Sequence, residues 1–161
     1  MPVSRRLWAL LVAAALLGAA CATTPTPAPI PDLAARTPAL STLSRLIADA
    51  GMADALRSAG PYTVFAPSDD AFKAVPEATM RQLAADKELL KSVLGFHVVP
   101  GKLGTADIKP GSLKTVQGAN VALSTAGSFV TVEDAVVTQA DVGASNGVVH
   151  VIDRVLMPPK R

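Results

Sequence analysis

The sequence predicts an α+β domain, and three observations carry that prediction. Apolar residues recur at helical spacing through the first half of the chain. From Phe96 onward the period shortens to that of strands, in β-rich runs parted by Gly and Pro. Between the halves, Thr63-Val64-Phe65-Ala66-Pro67-Ser68-Asp69-Asp70-Ala71-Phe72 reads as a strand feeding straight into a capped helix. Helices first and sheet second is the pattern of α+β folds.

Each element follows from local chemistry. Leu40, Leu43, Leu46 and Ile47 share one helical face until Gly51 interrupts it. Met52 to Ser58 gives a second short helix, stopped by Gly60-Pro61. Tyr62 to Phe65 are β-formers, and Pro67 stops ladder pairing while biasing Ala66 toward an extended conformation. Ser68 caps the next helix, Asp69 and Asp70 sit at the positive end of its dipole, and Ala71 and Phe72 face the strand. A helix begins near Pro76 with Met80, Leu83 and Ala84 as its stripe. Asp86 caps another, whose Leu89, Leu90, Val93 and Leu94 point inward.

The strands come next. Phe96 to Val99 ends at the Pro100-Gly101 turn. Leu113 to Val116, Val121 to Ser124, Phe129 to Val132 and Val136 to Ala140 follow, separated by Gly118, Gly127 and Glu133-Asp134. Asn146-Gly147 predicts a hairpin turn because both residues tolerate positive φ. Val148 to Leu156 is almost wholly apolar, as a central strand buried on both faces should be. Val64, Phe65 and Phe72 are expected in the core.

The N-terminus carries an address. Arg5 and Arg6 precede an apolar run from Leu7 to Leu17, which is shorter than the roughly 20 residues that span a bilayer but suits a signal peptide. Gly18-Ala19-Ala20-Cys21 then resembles a bacterial lipobox, with Gly18 where an aliphatic residue is usual. On this reading residues 1–21 are removed up to Cys21, which is lipidated. A lone cysteine in an exported chain has no internal disulfide partner, which favours the acylated role. Ordinary cleavage at Ala20-Cys21-Ala22 would instead release a soluble, secreted protein, and Ser4-Arg5-Arg6 also starts a twin-arginine pattern. Residues 22–31, with prolines at 25, 27, 29 and 31, read as a tether able to hold a domain roughly 30 Å off a membrane. One domain is expected over residues 32–158, with 159–161 as a tail.

Loss of Arg5 and Arg6 lowers Lys plus Arg from 15 to 13, against 13 Asp plus Glu, so the mature chain is formally neutral. Its aromatics, Tyr62, Phe65, Phe72, Phe96 and Phe129, are scattered, and no basic run accompanies them. Nucleic-acid binding needs a clustered basic face and is not expected.

Two segments together resemble the fasciclin (FAS1) family. Thr63–Phe72 matches that family's first box and Asn146-Gly147-Val148-Val149-His150-Val151-Ile152-Asp153-Arg154-Val155-Leu156-Met157-Pro158 its second. Phe96-His97-Val98-Val99-Pro100-Gly101 is similar to the tyrosine–histidine motif between them, with phenylalanine replacing tyrosine. The resemblance covers residues 32–158 in order. It implies a wedge-shaped β-sheet core dressed with helices, used by cell-surface and secreted adhesion proteins. The fold-signature positions it marks are Thr63, Phe65, Pro67, Ser68, Asp69, Phe72, His97, Asn146, Gly147, His150 and Asp153.

Catalysis is not expected. Ser68 lacks a G-x-S-x-G elbow and is better explained as a cap. His97 and His150, the only histidines, show no metal-ligand spacing, and Asp69-Asp70 lacks the spaced oxygens of a calcium loop. Asp153-Arg154 suggests a local ion pair. No cofactor is expected. The reading is a lipid-anchored adhesion or interaction module at the cell envelope, facing periplasm or exterior, that binds a protein or carbohydrate. The alternative is a carrier of a small hydrophobic ligand, lipid or pigment, which would need an apolar cavity of roughly 300–1,000 Å³.

Overall fold

The computed structural model describes residues 27–58 and 60–159. The expected signal peptide, Cys21 and most of the expected tether lie outside them. Six helices and seven strands follow among the described residues, all in the expected order except α1, which the sequence pattern does not predict: α1 Ile30–Arg36, α2 Ser41–Asp49, α3 Ala53–Ser58, β1 Tyr62–Pro67, α4 Asp69–Lys73, α5 Glu77–Ala85, α6 Lys87–Phe96, β2 Val98–Pro100, β3 Gly111–Lys114, β4 Asn120–Ala126, β5 Phe129–Val132, β6 Ala135–Ala144 and β7 Gly147–Ile152. A 3-10 turn, Pro38–Leu40, leads into α2.

The strands form one sheet in the order β2-β1-β7-β6-β5-β4-β3. Every pairing is antiparallel except β1 with β7, which run parallel over their full lengths, Tyr62 opposite Gly147 and Pro67 opposite Ile152. Just past β3, the Val116 N–H donates to the Val98 carbonyl of β2 at 2.8 Å, so the two outer strands meet and the sheet curls nearly closed.

This curl creates two cores. The outer one packs helix residues such as Leu43, Leu46, Phe72, Leu83 and Leu94 on Val64, Ala66, Val149 and Val151 of the central strands. The inner one fills the concave side with Phe65, Phe96, Val121, Leu123, Val132, Ile152 and Leu156. Alternate residues of β1 and β7 therefore serve different cores. The unbroken apolar run of β7 is the consequence, since a strand buried on both faces has no polar side. Strand β4 faces only the inner core and alternates, with Val121 and Leu123 buried and Asn120, Ala122 and Ser124 exposed.

Strand β6 changes allegiance midway. Ala135 and Val137 face the inner core, whereas Val142 and Ala144 face the outer one. Register shifts between Val137 and Val142 carry the change, and Asp141 adopts φ 55° within them. Ordinary alternation already sets Val137 and Val142 on opposite faces. The two inserted residues cancel in parity and bend the strand, so that the inner core covers its first half and the outer core its second.

Several expectations need correction. Phe96 ends α6 and does not open a strand, and β2 begins only at Val98. Pro67 remains paired within β1; it lacks an N–H but the parallel ladder continues through Ser68 N–H to the Ile152 carbonyl at 3.0 Å. Leu89 is 36% exposed and Ala84 is exposed, because the buried face of each helix is narrower than its apolar stripe. Val116 lies outside β3 and is exposed, and β7 ends at Ile152, four residues early. The β6–β7 turn is Ser145-Asn146, and neither Asn146 nor Gly147 has positive φ. Gly147 instead meets β1 so closely that a Cβ there would strike the Tyr62 carbonyl. Finally, Ala28, Ile30 and Pro31 are buried, so the fold begins inside the stretch expected as tether.

Candidate interaction surface

The signature residues act as internal fasteners. Ser68 accepts the Ala71 N–H at 3.2 Å and caps α4. Asp69 lies in the first turn of α4, but its carboxylate turns to the neighbouring helix. It accepts from Ser41 Oγ at 2.6 Å and from Thr42 N–H at 2.9 Å, capping α2, whose own N-cap residue supplies no side-chain bond. The Ser41 hydrogen bond holds the Asp69 carboxyl below the usual carboxylate range. Phe72 is buried in the outer core.

Thr63 is fully buried and binds the loop after β2 twice. Its hydroxyl donates to the Gly101 carbonyl at 2.7 Å and accepts the Leu103 N–H at 2.8 Å. His150, also fully buried, continues this clamp. Its Nδ1 accepts the Asp141 N–H at 3.1 Å, so Nε2 carries the proton and donates to the Leu103 carbonyl at 2.8 Å. Its ring stacks on Phe65 with centroids 5.7 Å apart. Asp141 in turn accepts from the Thr105 N–H and hydroxyl, which lower its pKa.

His97, 2% exposed, has the opposite tautomer. Nδ1–H donates to the Val93 carbonyl at 2.8 Å, and Nε2 accepts the Leu156 N–H at 2.9 Å. Burial pushes its pKa down to about 4. Asp153 forms no ion pair with Arg154 among the described residues; its carboxylate accepts the Val136 N–H at 2.7 Å. These two bonds fix the path of the chain after β7. Leu156 then plugs the inner core, Val155 packs half-buried against the outer one, and Met157 is exposed.

Val155 and Met157 help to line two largely apolar troughs. One trough of about 320 Å³ runs between the tail and the α4–α5 junction, lined by Ala71, Ala74, Val75, Pro76, Val155 and Met157, with Arg154 also present. A second of about 270 Å³ lies against α5 and α6, lined by Leu83, Leu89, Val93, Met157 and Pro158 beside Thr79 and Gln82. Met157 walls both and is 45% exposed. A larger hollow of about 440 Å³ between α2 and the α5–α6 region includes Asp49 and Lys87 and is more polar. Neither Met157 nor Leu89 was legible as surface, because apolar residues at strand and helix spacing read as core. The signal that could have flagged Met157 is its place beyond the last strand, beside Pro158.

The arrangement offers no nucleophile–base pair among the named groups. Ser68 Oγ is committed to Ala71, and all four histidine ring nitrogens are bonded to backbone groups. Among the described residues no three His, Cys, Asp or Glu side chains converge as a metal site.

Comparison with known proteins agrees with this architecture. Protein sll1483 of Synechocystis sp. is 41% identical over 132 residues, covering 81% of this chain and 73% of its own. Immunogenic protein MPB70 of Mycobacterium bovis is 40% identical over 129 residues, 80% of this chain and 65% of that protein. Cell surface glycolipoprotein MPB83 of the same species is 38% identical over 136 residues, 81% of this chain and 61% of that protein. The chain thus spans less than two thirds of these mycobacterial relatives. Among solved structures, a FAS1 domain pair from the insect cell adhesion molecule Fasciclin I superposes with TM-score 0.62 at 27% identity, over 73% of this chain and 45% of that one. The fasciclin domain model matches residues 38–158, which takes in both boxes, the histidine motif and the curled sheet. The chain belongs to the fasciclin domain family.

Proposed function

We propose that this protein is an exported, lipid-anchored interaction module of the cell envelope, and that the apolar surface around Met157 meets a protein partner. One observation carries the reading: exposed Met157, on a tail pinned by His97 and Asp153, adjoins exposed Leu89 of α6 on one side and half-buried Val155 on the other. A rigidly held apolar patch with a polar rim is the usual anatomy of a docking site. No aromatic side chain lines either trough, which favours a protein over a carbohydrate. The lipobox-like segment at Cys21 and the likeness to the cell surface glycolipoprotein MPB83 support the location. The commitments of Ser68 and both histidines to the fold support a role without catalysis.

The test is a photo-crosslinking residue at position 157, compared with one at exposed Thr125 on β4. A discrete crosslinked species is expected from 157 alone. Met157→Asp should weaken capture about tenfold, a loss of about 1.4 kcal/mol, with the melting curve unchanged. Equal crosslinking from both positions, or undiminished capture by Met157→Asp, would refute this surface.

The hydrophobic-carrier reading has one observation in its favour. The trough beside α4 and α5, at about 320 Å³, reaches the lower end of the roughly 300–1,000 Å³ of small-molecule sites. Organic extraction of protein purified from its own envelope separates the two: a stoichiometric lipid or pigment favours the carrier.

A further inference from the structure

The point where the chain enters the fold is fixed by a strap. The Ser145 N–H donates to the Ala28 carbonyl at 2.9 Å, and the Ile30 N–H donates to Asn146 Oδ1 at 3.0 Å. The same Asn146 side chain donates through Nδ2 to the Leu56 carbonyl of α3. Ile30 is 1% exposed. The chain therefore enters at the β6–β7 turn, beside α3. Strands β1 and β7 run parallel away from that turn and end at Pro67 and Ile152. The tail bearing Met157 leaves from this far end. Entry point and apolar surface stand at opposite ends of β7.

We infer that the strap orients the domain on its own membrane, with the β6–β7 turn and α3 toward the bilayer and the Met157 surface directed away from it. The inference rests on the lipid-anchor reading of Cys21. Between that cysteine and the strap only residues 22–27 remain, and six residues reach at most about 20 Å. A domain of this length has a radius of gyration of about 14 Å, hence a width of roughly 35 Å. A leash shorter than the body it holds lets the body tilt but not turn over. The ten-residue tether that composition suggests would reach about 30 Å, close to the domain's own width, and the constraint would fade. Burial of Ala28 and Ile30 makes the difference. The bilayer occupies one end, so a partner for the other end must come from across the periplasm or from outside.

The experiment uses the full lipidated protein in phosphatidylcholine vesicles containing rhodamine-labelled phosphatidylethanolamine. Cys21 is the only cysteine, so Asp54→Cys on α3 and Met157→Cys each add a single free thiol for a donor dye. Both positions are exposed, Asp54 with 97% of its side chain, so folding should be preserved and is checked by circular dichroism. Stronger energy transfer to the bilayer is expected from position 54 than from 157. Insertion of a Gly-Ser segment after Pro27 should shrink that difference. Equal or reversed transfer from protein that floats with the vesicles overturns the orientation while leaving the anchor intact. An unmodified Cys21 in the mass spectrum, with no flotation, overturns the anchor and the orientation with it.

Discussion

His97 and His150 hold opposite tautomers because one accepts at Nε2 and the other at Nδ1. For His97 this makes protonation costly twice over. A second proton would be buried without a counter-charge and would face the Leu156 N–H that it now accepts. Its folded pKa of about 4 lies below the 6.5 of the free side chain, so the unfolded chain takes up the proton first. Stability from this site is complete above pH 6.5 and is lost as pH falls toward 4, on the order of 3 kcal/mol in all. Asp69 and Asp141 have lowered pKa values, so their contributions disappear only in more acid solution, below the usual carboxylate range. Urea unfolding across these two windows checks the sign: a flat profile between pH 6.5 and 4 would contradict the burial of a neutral His97. Ser68 carries a simpler expectation. Ser68→Ala removes the α4 cap and should cost about 1 kcal/mol in the same assay, without affecting capture of a partner.

Among the elements, β7 and its turn show where local reading succeeds and where it stops. The strand itself was legible, because an apolar run flanked by turn residues has few alternatives. The β1–α4 junction was legible for the same reason: Pro67, Ser68 and the aspartates act within four residues of one another. What escaped depends on partners far along the chain. Asp69 serves its own helix by position and α2 by hydrogen bond, and only the tertiary fold brings Ser41 to it. The switch of β6 between cores leaves no trace in periodicity beyond a blurred alternation. Gly147 suggested a positive-φ turn, yet its requirement is close approach to β1. That reinterpretation predicts a contrast between two glycines. Gly147→Ala drives a methyl into the Tyr62 carbonyl and should cost about 3 kcal/mol or more. Gly143→Ala, with nothing within 4 Å of the added carbon, should stay within about 1 kcal/mol. Denaturant midpoints of the two variants decide it, since equal losses would return Gly147 to a conformational role.

At the scale of the whole molecule, the two cores raise the question of whether the domain unfolds in one step. They share no side chains, and one is walled by helices while the other is enclosed by the curl of the sheet. Yet both are built on the same two strands. Phe65 and Ile152 belong to the inner core, and their neighbours Val64, Ala66 and Val151 to the outer one. Losing either core removes one face of β1 and β7 from apolar contact, and the parallel ladder between them cannot persist with one face in water. His97 adds a direct link, reaching from α6 to the tail residue Leu156 that plugs the inner core. The cores should therefore melt together. Leu83→Ala in the outer core and Leu123→Ala in the inner one should each remove about 2–5 kcal/mol and shift a single transition. Tyr62 fluorescence and far-ultraviolet circular dichroism should trace the same curve in both variants. Two separated transitions in either variant would mean that the central strands do not couple the cores, and that the tail surface could loosen while the helical half stays folded.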